Sequence, residues 1–139
     1  MMTVPPAAIG PVLLIARLLM SVEFILFGTM KVFNNATMQA YMESHGVPGQ
    51  LIWLAILVQV VCGALVAIGY HARIAAFLLA GFCIVATTIF HTNFSDLGEV
   101  SDFTKDLATT GGFLFLVVFG PGPLSIDAWR RRRKDGASS

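Results

Sequence analysis

The chain has 139 residues, 56% of them hydrophobic and only 12% charged, with a mean hydropathy of +0.78. A soluble domain carries about 25% charged residues, so a water-covered globule is excluded and a single integral membrane domain is implied. The net charge of +1 hides an uneven placement: five of the nine Lys and Arg fall in Arg130–Lys134, a tail suited to anionic headgroups rather than to nucleic acid.

Residues 1–10 read as a lead in which Pro5 and Pro6 suit the entry to a helix. The first membrane span is predicted over 11–33, enough for ~30 Å of hydrocarbon with some tilt. Nothing basic precedes it and Arg17 interrupts it, so it is expected to be retained rather than cleaved as a secretory signal. On a helix advancing about 100° per residue, Arg17, Phe24, Gly28 and Lys31 share one stripe, while Glu23 sits off it near mid-span. Asn34 and Asn35 end the span. Asn35 is the expected cap of a short interfacial helix from Ala36 to His45, with Met38, Tyr41 and Met42 on one side and Gly46 as its stop.

Pro48 and Gly49 open a second span over 51–70, whose one strongly polar residue is Gln59. The sequence GYHAR at 69–73 is a tight turn, making the second span and the third, over 72–91, antiparallel neighbours. Small residues Ala75, Ala76, Ala80 and Gly81 permit close helix contact there. An acidic loop with Asp96, Glu99 and Asp102 leads to a fourth, shorter span over 103–119, which contains Lys105, Asp106, Gly111 and Gly112. GPGP at 120–123 stops it. The membrane domain is read as 11–128, followed by a basic tail over 129–139. The fold expected is all-α, an integral membrane four-helix bundle with a short interfacial helix after the first span. Four spans put both termini on one side, and the tail with the 70–73 turn holds six of the nine Lys and Arg, so both termini are predicted to be cytoplasmic.

Charges at membrane depth are expensive and call for partners. A rise of about 1.5 Å per residue sorts the polar groups into three layers. Lys31, His91 and Lys105, with Asp96 nearby, lie at the outer rim. Glu23 and Gln59 form a middle pair, and Arg17 lies level with Asp127 as an inner ion pair fastening the tail to the first helix. Each layer has a bland reading too: lysines at span ends snorkel, a histidine facing a wet loop is often only a surface group, and Gln59 can simply bond across helices. The sharper reading of the rim is a site for a quinone-like ligand, since a cation or imidazole aimed at a carbonyl oxygen polarises it and can supply a proton. Glu23 with water access would instead be a proton carrier.

No metal-ligand spacing, haem histidine pair, dinucleotide fingerprint or redox dithiol motif is present, so no cofactor is evident, and a quinone is left open. Cys62 and Cys83 sit inside apolar runs and read as small buried hydrophobes, with their pairing left open.

The run Arg17, Phe24, Gly28-x-x-Lys31, then AYMESHGVPG at 40–49 and HARIAA at 71–76, resembles the DoxX family of small four-span bacterial membrane proteins. H-x-N-F at 91–94, Lys105, Gly111-Gly112 and GPGPLSID at 120–127 agree, so the resemblance runs from about residue 11 to 128. It implies an inner-membrane location and a link to quinone-dependent oxidases and membrane oxidoreductase complexes. In one respect the chain departs from the family, which often has a glutamate where this chain has Gln59. If that acid carries protons in relatives, its role here is lost or moved to Glu23. The function expected is a subunit or partner of a quinone-linked membrane redox system, since no motif equips the chain for stand-alone catalysis. The alternatives are a non-catalytic scaffold for a partner protein, docking through small-residue faces such as Ala76/Ala80 and Gly111/Gly112, and a small-molecule or proton pathway centred on Glu23. The expected partners are the lipid bilayer and a membrane redox or other protein, not nucleic acid, and homo-oligomerisation is left open.

Overall fold

The computed structural model describes residues 3–138, and every regular element among them is helical. Of the lead over 1–10 the first two residues, and of the tail the last, lie outside the described residues. Helix α1 spans Pro6–Phe33, α2 Asn35–Ser44, α3 Gly49–Ile68, α4 Ala72–Phe90, α5 Leu97–Phe119 and α6 Ile126–Ala137. Three of these, α1, α3 and α4, are long and apolar enough to cross a membrane. Helix α5 has the length, 23 residues, but its first half carries Glu99, Asp102, Lys105 and Asp106, and it becomes continuously less polar only from Leu107.

The residues of α1 that are buried are Gly10, Arg17, Ser21, Phe24 and Gly28; three of them, Arg17, Phe24 and Gly28, belong to the predicted stripe, whose fourth member, Lys31, is half-buried. Phe24 packs edge-on against Phe113 of α5, with ring centroids 5.3 Å apart, and joins the first long helix to the last. Val66, Ala75, Ala76, Leu79, Ala80, Cys83 and Leu116 complete the core around that pair. Ala76 and Ala80 are therefore spent on internal packing of α4 and are not a free docking face. The outside is apolar: Leu19, Phe77 and Phe115 are 67%, 63% and 69% exposed, as a lipid-facing surface requires.

Helix α3 is not uniform. It opens with a 3₁₀ turn over Gly49–Leu51 and widens to a π-helical segment over Val58–Cys62. The extra residue in that wide turn rotates the chain locally, and such segments recur at functional sites. At this height α1 lies close against α3: a β-carbon on Gly28 would lie 2.7 Å from Val60 Cγ2 and 3.1 Å from Gln59 Cβ. Glycine at 28 is what lets the two backbones meet beside Gln59.

The turn between α3 and α4 ends α3 with Gly69 in the left-handed region, φ 72°, while the Tyr70 N–H bonds back to the Leu65 carbonyl. This is a Schellman-type ending, and it needs glycine. The expected Asn35 cap of α2 is not made. Asn34 is the junction residue and its side chain donates to the Met30 carbonyl, while Asn35 bonds the Gln39 side chain. The two helices are nearly continuous there, so Asn35 already lies within the first turn of α2 and cannot serve as its cap.

Candidate functional site

A cavity of about 670 Å³ lies between α1, α3, α4 and α5, toward the end where α2 sits. Its walls are mainly apolar, and α2 contributes Met38, Tyr41 and Met42, the face predicted from its spacing. Lys31, His91 and Lys105 all line it, although they come from α1, the end of α4 and α5. Each has a partner of its own. Lys31 Nζ donates to Gln59 Oε1 at 2.7 Å, Lys105 Nζ to Asp102 Oδ1 at 3.0 Å, and His91 Nδ1 lies 3.2 Å from Glu99 Oε2. Asp96 stays apart from them, accepting from the Gly98 and Glu99 N–H groups as the cap of α5.

The middle pair expected between Glu23 and Gln59 is not formed. Gln59, 5% exposed, accepts from Lys31 Nζ at its carbonyl oxygen instead. The reason is the stripe. Gly28 stands directly against Gln59, and Lys31, one turn further along the same face, reaches its amide with a charged donor. Glu23, off the stripe, faces the cavity with no hydrogen-bond partner among the described residues. Lys31, His91 and Lys105 of the rim and Glu23 and Gln59 of the middle layer thus line one cavity.

The inner ion pair is replaced as well, because no contact within salt-bridge range joins Arg17 to Asp127 among the described residues. Arg17 is 2% exposed and its Nη2 donates to the Leu124 carbonyl, leaving Nε and Nη1 unpartnered among the described residues. Asp127 acts on it only through space. The Asp127 oxygens accept from the His71 and Ala72 N–H groups, at 2.9 and 3.0 Å, and so cap α4. His71 itself adopts a left-handed conformation, φ 46°, and makes no side-chain cap. A carboxylate at a helix N-terminus meets both unpaired N–H groups and the helix dipole, which outcompetes a buried guanidinium already held by a carbonyl. The first helix is still tied to the segment that leads into α6, but by the Arg17 side chain donating to the Leu124 carbonyl.

Asp106 is the residue that sequence reasoning named without giving it a role. It lines the cavity beside Lys105, and its side chain is electrostatically coupled to Lys31. A signal was available: Asp102, Asp106, Thr110, Phe113 and Leu116 follow helical spacing and lead into the buried side of α5. Cys83 also lines the cavity, and both it and Cys62 are free thiols. No cluster of three or more metal-ligating side chains occurs among the described residues.

Comparison with known proteins agrees with this architecture. The family model described as DoxX matches residues 12–92. The Inner membrane protein YqjF of Escherichia coli (strain K12) is 40% identical over 114 residues, covering 82% of this chain and 88% of that protein. The Inner membrane protein YphA of the same organism is 30% identical over 128 residues, covering 87% and 91%. No solved structure matches the chain. With a family match over more than half its length and full-length relatives at this identity, the chain belongs to the DoxX family of membrane proteins.

Proposed function

We propose that this chain is an inner (cytoplasmic) membrane protein that holds a quinone head group and serves as a subunit or partner of a quinone-linked redox system. The observation that carries the reading is the convergence of Lys31, His91 and Lys105 from three elements onto one mainly apolar cavity. A volume of about 670 Å³ lies within the range of small-molecule sites, and a few convergent polar groups on an apolar wall suit a flat head with a lipophilic tail. An ammonium or imidazole N–H facing a quinone oxygen stabilises the charge that builds there on reduction and is placed to give it a proton. Electrons come from the partner, since the chain has no motif for a cofactor of its own. The location follows the names of the relatives, and cytoplasmic termini follow the positive charge of the tail and the 70–73 turn.

The test is titration of the purified full-length protein with a decyl-tailed benzoquinone, read by quenching of intrinsic fluorescence. Saturable binding that is lost in Lys31→Ala and His91→Ala, both still folded by circular dichroism, is the expected result. No binding, or binding that ignores both substitutions, would overturn the reading, and a stoichiometric co-purifying protein with no quinone binding would favour a scaffold. A second reading, a proton pathway, draws on Glu23 and Asp106 facing the same cavity. It requires proton flux in liposomes that drops in Glu23→Gln.

A further inference from the structure

At the opposite end of the bundle a second cavity, of about 430 Å³, is built by two regions remote in sequence, residues 71–73 and 121–134. The α3–α4 turn supplies His71, the start of α4 Arg73, the segment before α6 Pro121, and α6 supplies Arg130, Arg131 and Lys134. Asp127 is the one carboxylate on its wall, and both of its oxygens already hold N–H groups at the start of α4. Four fixed cations therefore face a single negative charge that is turned inward, an excess that a bound anion would offset.

Two of the arginines, Arg73 and Arg130, are positioned by contacts that leave their charges to the cavity. Arg130 lies over the Tyr70 ring, 5.2 Å from its centroid, which ties α6 back to the turn. Arg73 packs beside Gly120, where a β-carbon would lie 3.0 Å from its Nη2, so the guanidinium rests on the turn that ends α5. By contrast Arg132 donates to the Pro123 carbonyl and Arg133 covers Trp129, and neither borders the cavity. The tail is thus divided: two arginines and a lysine face the cavity, and two arginines do not.

What surrounds the cavity identifies its occupant. Next to Arg73 in sequence, Ile74 and Phe77 are exposed on α4, and Phe119 is exposed at the end of α5. These are the two helices that pack most extensively on each other, so a seam of lipid-facing apolar surface runs from the cationic cavity along the bundle. A ligand with a negatively charged phosphate and long apolar chains satisfies both features at once. A choline or ethanolamine headgroup would place its own cation among the arginines. We infer that Arg73, Arg130, Arg131 and Lys134 form a binding site for the phosphate of an anionic phospholipid, whose chains lie along the α4–α5 seam. The site is independent of the quinone reading, and it makes α6 a lipid-gripping element of defined geometry, beyond a basic tail attracted diffusely to the membrane surface.

The experiment is native mass spectrometry of the full chain released from mild detergent, with phosphatidylglycerol or phosphatidylcholine of equal chain length added. Phosphatidylglycerol is expected to stay bound where phosphatidylcholine leaves. Each basic residue removed from the cavity should weaken retention about fivefold, so the double variant R130A/R131A weakens it about 25-fold. R73Q should weaken it too, with the tail intact. The double variant R132A/R133A removes the same charge from the same helix and is expected to retain the lipid. Equal losses in the two double variants, or no effect of R73Q, would overturn the site in favour of diffuse attraction. Inorganic phosphate supplied alone is expected to bind weakly and to leave the lipid in place; its displacing phosphatidylglycerol at millimolar concentration would overturn the lipid assignment.

Discussion

Replacing Gly69 by alanine tests how the bundle, the tail and the buried arginine are locked together. Two costs add. Gly69 has φ 72° and ψ 35°, where an L-residue with a β-carbon loses about 1–2 kcal/mol. The new methyl would also lie 2.0 Å from Arg17 Nη1, 2.4 Å from Ser125 Cβ and 3.1 Å from Ser125 Cα. Arg17 could yield if it were free, but it is almost wholly buried and bonded to the Leu124 carbonyl, and Ser125 is the start of α6. Overpacking of this kind costs about 1–3 kcal/mol, so Gly69→Ala should destabilise by roughly 2–5 kcal/mol. Unfolding by sodium dodecyl sulfate in mixed micelles, followed by far-ultraviolet circular dichroism, measures it, and trypsin cleavage within Arg130–Arg133 reports release of the tail. Gly81→Ala is the control. A β-carbon there meets nothing within 4 Å, and the helix gains up to about 1 kcal/mol from alanine. A Gly69→Ala protein within about 0.5 kcal/mol of the parent, with unchanged tryptic cleavage, would refute the lock.

The Lys31–Gln59 bond is tested by a double-mutant cycle. Lys31→Met strips a buried amide oxygen of its donor and should cost about 1–2 kcal/mol, and Lys31→Met with Gln59→Leu should cost less than the sum of the singles by about 1 kcal/mol. Strictly additive losses in dodecyl sulfate unfolding would contradict the pairing. Asp127→Ala removes the cap supplied to α4 from the far end of the chain and should cost about 1–2 kcal/mol in the same assay, with Asp127→Asn intermediate because its amide keeps one acceptor. A change too small to measure would mean that α4 needs no cap. Tyr41, outside the spans, has its phenol pushed above the ordinary 10.0 by burial first and then by the Glu99 and Asp102 carboxylates. The folded state therefore favours the neutral phenol: its contribution to stability is whole below pH 10.0 and is lost as pH rises through the raised native value. The phenolate absorbance difference between the parent and Tyr41→Phe should show a midpoint above 10.0, and a midpoint at or below it would contradict the environment assigned to α2.

Much of this protein could be read from residue order because a helix records which of its faces is inward. The stripe through Arg17, Phe24 and Gly28, the turn at Gly69 and the apolar runs of α1, α3 and α4 are local patterns, and bilayer thickness turns such runs into crossings. The convergence of Lys31, His91 and Lys105 on one end was legible for the same reason, since depth follows from residue count. Partner choice was not. Which residue Gln59 meets depends on the axial register of α3 against α1 and on the π turn over Val58–Cys62, whose apolar residues leave no mark in hydropathy. Asp127 presented itself as a countercharge to Arg17, yet the tertiary fold brings the unpaired N–H groups of α4 to it first. Periodicity is a property of one helix, whereas register and pairing are settled by close packing between helices, where a glycine at 28 or 69 decides how near two backbones come.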